Sequence, residues 1–180
     1  MPQTYVALLR GINVGTAKRV AMADLRSVIE SLGYGDARTL LNSGNAVFTS
    51  GRALKKTAAE EFRAALEKKT GVSSKVTFRS ADELHQVVES NPLLDVAKDH
   101  TRLFTAFLTD PADLSKVKPL LKQQWKPEVI AAGPGVVYVW CPNGLLESKA
   151  SLAVSKALGD GHTVRNWATV MKLSALARGD

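Results

Sequence analysis

Arg10, Asn13, Asn42, Ser43 and Asn45 are the residues of this chain best suited to polar recognition. A guanidinium offers paired donors to a phosphate or carboxylate, and amide and hydroxyl side chains add neutral donors around it. Arg10 closes an apolar run over residues 4–10, and Gly11-Ile12-Asn13-Val14-Gly15 follows it ahead of a helical pattern. Strand, glycine-containing loop and helix is the order found in phosphate-binding loops. The spacing nevertheless matches neither G-x-G-x-x-G nor a P-loop ending in Gly-Lys-Ser/Thr. A turn that needs a permissive backbone at two points is the alternative role for the glycines. Lys149, Arg165 and Asn166 form a second polar group, with Asn166 suited to cap the last helix. Exposed or ion-paired surface charge is the alternative for the two cations.

Other chemistries find little support in the residue types. His85, His100 and His162 are far apart, and Cys141 has no neighbouring cysteine, so neither a metal nor another cofactor is expected. Cys141 precedes Pro142 at a strand end, where a small packing residue is the plainest reading. No Gly-x-Ser-x-Gly elbow occurs.

The elements that must position these residues follow from apolar spacing and stop signals. Residues 4–10 read as a buried strand, and Leu25, Val28, Ile29 and Leu32 recur at helical spacing before Gly33. Residues 37–41 and 46–50 flank the turn residues Asn42-Ser43-Gly44-Asn45 as a hairpin. Leu54, Ala58, Phe62, Ala65 and Leu66 mark a second amphipathic helix, and residues 75–79 a fourth strand. The order is βαββαβ, the ferredoxin-like arrangement. A capping box, Ser80 with Glu83, opens a further helix that stops at Asn91-Pro92.

Beyond it, residues 103–108 read as a strand, with Asp110-Pro111 as a helix start. Residues 127–132 and 136–140 form a second hairpin around Gly133-Pro134-Gly135, and residues 146–158 and 167–177 are helical. Trp167, Val170, Met171 and Ser174 share one helical face, most simply a core face. The expected fold is α+β, with a ferredoxin-like half over residues 1–90 including the following helix. A smaller βαββαα subdomain is expected over residues 91–180. The two halves share a theme but no residue-level repeat.

In a ferredoxin-like sheet strands one and three are antiparallel neighbours. Arg10, Asn13, Asn42, Ser43 and Asn45 are therefore expected at one rim, with Lys75 at the start of strand four and the start of helix one beside them. Unpaired N–H groups at that helix start favour anions. RNA-recognition modules share the topology, but their third strand carries several stacking aromatics, whereas this one has only Phe48, with Tyr5 on strand one. Both rings are expected in packing roles.

Bulk composition narrows the setting. The chain has 180 residues, 45% of them hydrophobic and 23% charged, an ordinary globular balance. One cysteine rules out an internal disulfide, and no apolar run is long enough to span a bilayer. A cytoplasmic protein with no membrane partner is expected. The net charge of +7 favours anionic partners. It comes from 13 basic and 9 acidic residues in 1–90 and 11 and 8 in 91–180, so no polybasic tail is present.

The motifs ALLRGINVG (residues 7–15), MADLR (22–26) and RTLLNSGNAVFTS (38–50) resemble the bacterial family called domain of unknown function 1697. Arg79-Ser80, Asn91-Pro92, Tyr138, Pro142-Asn143-Gly144, Ser148-Lys149, Thr163 and Arg165-Asn166-Trp167-Ala168-Thr169-Val170 extend the resemblance over almost the whole chain. The family commonly has Gly where Thr16 stands and Val where Ala46 stands. The resemblance implies an α+β fold with a ferredoxin-like N-terminal part, and no activity. Three readings remain open. The rim, joined by Lys149 and Arg165, binds a phosphate-bearing small molecule or nucleic acid. Alternatively, Arg10 or Arg165 orients a small anionic substrate for catalysis, with only Asp24 and Glu147 nearby in sequence as acids. The third reading is a structural protein or homo-oligomer that pairs through an exposed sheet edge or face.

Overall fold

A seven-residue run that alternates into two apolar layers starts the first sheet. The computed structural model describes residues 1–179, and its chain divides into two units. Unit 1 comprises Met1–Leu84 together with the chain from Leu173 onward, and unit 2 comprises His85–Lys172.

In unit 1 the strands are β1 (Gln3–Leu9), β2 (Gly35–Leu40), β3 (Asn45–Ser50) and β4 (Val76–Ser80). Helices α1 (Met22–Ser31) and α2 (Ala58–Thr70) lie between them in the chain, and α3 (Ala81–Glu89) follows. The sheet is antiparallel with order β2-β3-β1-β4. Successive strand side chains point to opposite faces. Tyr5, Ala7 and Leu9 therefore join Ala46, Phe48 and Val76 on the face that meets Leu25, Val28 and Ile29 of α1 and Phe62 and Leu66 of α2. Val6, Leu8 and Val47, on the other face, are buried as well. This is why β1 reads as a continuous apolar run rather than an alternating one.

Phe48 is the hub of this layer. Its ring centroid lies 4.8 Å from Tyr34, 5.8 Å from Tyr5 and 5.8 Å from Phe78. Both rings considered for base stacking, Tyr5 and Phe48, thus belong to the core under the helices.

Unit 2 repeats the order. Its strands are β5 (Leu103–Leu108), β6 (Val129–Gly133), β7 (Val136–Trp140) and β8 (His162–Asn166). Its helices are α4 (Leu114–Leu121) and α5 (Lys149–Leu158), and α6 (Trp167–Arg178) closes the chain. The sheet order β6-β7-β5-β8 is that of unit 1 displaced by four strands. Asp110 caps the short 3-10 turn Pro111–Asp113 that leads into α4, accepting from Ala112 N at 2.9 Å.

The α+β, ferredoxin-like reading matches this architecture, with one element added. β8 completes a second βαββαβ where the sequence pattern shows only two helices. Three of its five residues, His162, Thr163 and Arg165, are buried polar groups, so the strand carries no apolar alternation. α5 starts at Lys149 rather than at Leu146 because the Ser148 side chain caps it, accepting from Ser151 N at 2.9 Å. Leu146 stays in the preceding turn, fully exposed. In α6, Trp167, Val170 and Ser174 are buried as expected, whereas Met171 is exposed and Leu173 and Ala177 take inner positions.

The second copy also reveals a residue-level repeat. Thr77-Phe78-Arg79-Ser80 and Thr163-Val164-Arg165-Asn166 occupy the same register, with Arg79 opposite Val6 of β1 and Arg165 opposite Thr105 of β5. Each buried guanidinium donates Nη1 to the carbonyl of the residue before it, at 2.8 Å from Arg79 and 2.9 Å from Arg165. Ser80 and Asn166 then each cap the following helix, donors being Glu83 N at 3.1 Å and Thr169 N at 2.9 Å.

Cys141 is fully buried, and burial pushes its thiol up to about 11, with Glu128 adding to the rise and a Ser148 hydrogen bond opposing it. An unfolded thiol ionises near 9. Between these values the unfolded chain releases a proton that the folded chain keeps, so stability falls as pH rises. The slope is at most about 1.4 kcal/mol per pH unit. Cys141→Ala should remove that component, and urea unfolding at pH 8 and pH 10.5 should show a smaller alkaline loss in the variant than in the wild type.

Candidate anion-binding rim

Backbone pairing sets the rim of unit 1. Leu9 N donates to Gly44 O at 2.8 Å, and Arg10 N donates to Lys75 O at 2.9 Å. The end of β1 is thereby held between the turn before β3 and the start of β4. Ser74 reinforces this, its hydroxyl donating to Arg10 O at 2.8 Å. Gly44 cannot be replaced here: its φ is +86°, and a Cβ would stand 2.7 Å from Leu9 Cβ and 2.9 Å from Ile12 Cδ1.

The loop from Arg10 to Ala21 owes its shape to Asn13. Its amide nitrogen donates to Val20 O at 2.9 Å and to Asn42 O at 2.6 Å. Its amide oxygen accepts from Val20 N at 2.9 Å. Its own N–H donates to Lys18 O at 3.0 Å. Asn13 therefore ties the loop to itself and to the hairpin turn. Gly11 and Gly15 both have left-handed φ, as do Asn13 and Lys18, so the permissive backbone expected at the two glycines is used.

Asn45 has a comparable role. It is fully buried, and its amide donates to Leu40 O at 3.1 Å and to Ser43 Oγ at 2.9 Å. Asn42 and Ser43 are exposed, Arg10 is half-buried and Lys75 is exposed.

Beside Asn13 the loop opens a cleft of about 340 Å³, lined by Asn13, Arg19, Val20, Ala21, Met22 and Asn42. It sits at the start of α1, where Ala21 supplies no side-chain cap. The first N–H groups of a helix have no intrahelical acceptor. Arg19 and its neighbour Lys18 are exposed at this mouth. Both lie in the stretch between the first strand and the first helical pattern, where residue type alone gives them no role. Two adjacent cations just before a helix start are the signal that marks them. No histidine or carboxylate lines the cleft, and Asp24 lies in the first turn of α1.

Lys149, Arg165 and Asn166 lie in unit 2 and do not converge. Lys149 is exposed at the start of α5, where Glu128 accepts from its N–H at 3.2 Å. Val164 packs with the helix-facing core of unit 2, so Arg165, one residue on, points to the opposite face of the sheet. Burial lowers the Arg165 guanidinium to about 10, and Nη1 also donates to Thr163 Oγ1 at 2.9 Å. Asn166 is the cap of α6. Among the described residues no group of His, Cys, Asp and Glu could hold a metal ion, and no helix is long and apolar enough to cross a membrane.

A family model described as Protein of unknown function (DUF1697) matches residues 2–138. No curated protein matches the chain. Among solved structures, the conserved bacterial protein SP0830 from Streptococcus pneumoniae is 24% identical and superposes with a TM-score of 0.73, covering 98% of this chain and 99% of that one. An unknown protein from Galdieria sulphuraria is 17% identical over 92% of this chain and 97% of its own, with a TM-score of 0.28. The first of these shares the fold.

Proposed function

Starting from a chain that belongs to DUF1697, a family of unknown function, we propose that the rim of unit 1 binds a small phosphate-bearing ligand in a cytoplasmic protein without catalysing its conversion. The observation that carries this reading is the contrast between the chain's two copies of one rim. Leu108 N donates to Gly135 O at 3.0 Å and Thr109 N to Gly161 O at 2.9 Å, so Thr109 corresponds to Arg10 and Gly161 to Lys75. Around this second rim stand Asp110 and Asp160, and only Thr109 and Asp110 separate β5 from the turn into α4. Around the first stand Arg10, Lys18, Arg19 and Lys75, on a loop of twelve residues. The same strand pairing closes in unit 2 without the long loop that carries Lys18 and Arg19, so the pairing itself does not require that loop or its two exposed cations.

The ligand class follows from the cleft. Arg19 supplies paired donors, Asn42 a neutral polar group, and the uncapped start of α1 favours negative charge. With Tyr5 and Phe48 committed to the core, bases have no stacking platform here, which favours a small phosphate ester over a nucleic acid strand. The cleft also lacks a general base, which separates the binding reading from the enzymatic one.

Ribose 5-phosphate and inorganic pyrophosphate are the probes, with a dT oligomer beside them. At a hundredfold excess over the dissociation constant a ligand adds about 2.7 kcal/mol of apparent stability, a readable thermal shift. Arg19→Glu should weaken binding by about 10- to 100-fold, the loss expected for a charge-assisted hydrogen bond. Unchanged melting with every probe overturns the reading. Binding of the oligomer alone, with steep salt dependence, would reassign the rim to nucleic acid.

A further inference from the structure

Unit 1 holds a second cavity, at the opposite end of its sheet from the rim. It measures about 390 Å³, the size of a small-molecule site. Its walls come from the end of α1, the end of β3 and the segment that leads into α2. Tyr34 forms an aromatic wall, half-buried and held at 4.8 Å against Phe48, and Leu32 and Leu54 add apolar surface.

Charge around this cavity is mixed in a particular way. Arg52 and Lys55 stand on the loop side, and Glu61 stands on α2. Arg52 and Glu61 both act on the Tyr34 hydroxyl, in opposite directions, with burial the largest influence and the net effect a raised phenol. The hydroxyl is therefore a donor at neutral pH. One oxygen of Glu61 accepts from Thr57 Oγ1 at 2.7 Å, which fixes the carboxylate. Among the described residues Arg52 and Glu61 form no ion pair with each other. Opposite charges held apart around an aromatic wall complement a molecule that carries both charges itself.

The second copy shows that this corner of the fold accommodates a carboxylate. Glu128 immediately precedes β6 as Tyr34 immediately precedes β2. Its carboxylate accepts from Ser148 Oγ at 3.0 Å, Lys149 N at 3.2 Å and Ala150 N at 2.6 Å, at the start of α5. In unit 1 the corresponding residue is an aromatic one, the Thr57 side chain makes no cap at the start of α2, and a cavity opens nearby.

We infer that the cavity lined by Tyr34, Arg52, Lys55 and Glu61 is a binding site for a small zwitterion of the amino-acid type. The ligand carboxylate faces Arg52 and Lys55, its ammonium faces Glu61, and its apolar side chain lies along Tyr34. This site is separate from the phosphate-binding rim, and its occupancy does not depend on that reading.

Calorimetric titration with three probes tests it: L-phenylalanine, 3-phenylpropionate, which lacks the ammonium, and 2-phenylethylamine, which lacks the carboxylate. L-Phenylalanine should bind about two- to fivefold more tightly than either truncated probe, each missing contact being a surface-exposed charge pair. Arg52→Ala should weaken L-phenylalanine and 3-phenylpropionate and leave 2-phenylethylamine unchanged. Glu61→Gln, which keeps an acceptor for Thr57, should reduce L-phenylalanine to the level of 3-phenylpropionate. Superimposable far-ultraviolet dichroism of the variants confirms that both are folded. No L-phenylalanine binding at millimolar concentration overturns the inference, as does equal binding of all three probes. Arg19→Glu should leave these titrations unaltered, which separates failure here from failure at the rim.

Discussion

Phe48→Ala should lower stability by about 3–5 kcal/mol, the range for truncating a fully buried Phe. Phe48 is fully buried in the helix-facing layer of unit 1. Its removal takes away contacts with three rings at once, Tyr5, Tyr34 and Phe78, and Phe78 also makes an edge contact with Phe62 at 5.8 Å. Aromatic pairs contribute about 0.5–1.5 kcal/mol each beyond the area they bury, which places the change toward the upper end of the range. Phe48→Leu retains most of the volume and should lose clearly less. Urea unfolding of the three proteins checks this. A Phe48→Ala midpoint within error of the wild type would show that the ring cluster is not a determinant of the fold.

The hub role of Phe48 was only partly legible. A lone aromatic between Val47 and Thr49 reads as a strand residue, and the topology makes that strand central. Which face it takes depends on register, and register came from pairing Tyr5 with Phe48 across β1 and β3. Unit 1 was readable because its apolar runs are long and bounded by Gly11, Gly33, Gly44 and Gly71, each with left-handed φ in the fold. β8 was hidden for the opposite reason. A strand whose buried residues are the polar His162, Thr163 and Arg165 produces neither an apolar run nor an alternation, and its place is set by pairing with β5. The repeat between the halves was hidden with it, since Thr-x-Arg means nothing until both copies share a register.

For the rim, topology alone brought Arg10, Asn42, Asn45 and Lys75 to one end of the sheet, because antiparallel neighbours place strand ends together. What residue types could not convey was which polar groups hold the loop and which face outward. Asn13 and Arg19 are both polar loop residues in the sequence. Only the bonds from Asn13 to residues 7 and 29 positions away divide their roles.

That division yields a prediction about the loop itself. Asn13→Ala should destabilise the protein by about 2.5–5.5 kcal/mol, from two separate sources. The first is three side-chain hydrogen bonds, to Val20 O, Val20 N and Asn42 O. Each contributes about 0.5–1.5 kcal/mol net. The second is backbone strain: φ at position 13 is +54°, a region Asn tolerates and Ala does so only at a cost of roughly 1 kcal/mol. Asn13→Gly separates the two, since glycine loses the hydrogen bonds but adopts this φ freely. It should therefore be more stable than Asn13→Ala by about 1 kcal/mol and less stable than the wild type by the hydrogen-bond part. Hydrogen exchange locates the effect, because the Val20 amide, held by Asn13 Oδ1, should lose protection in both variants while amides of β1 keep theirs. Ligand binding at the rim should fall in both variants, since the cleft beside Arg19 exists only while the loop is tied to Asn42. If Asn13→Ala and Asn13→Gly match the wild type in stability and in Val20 exchange, the loop is shaped by something other than Asn13, and the cleft loses its structural basis.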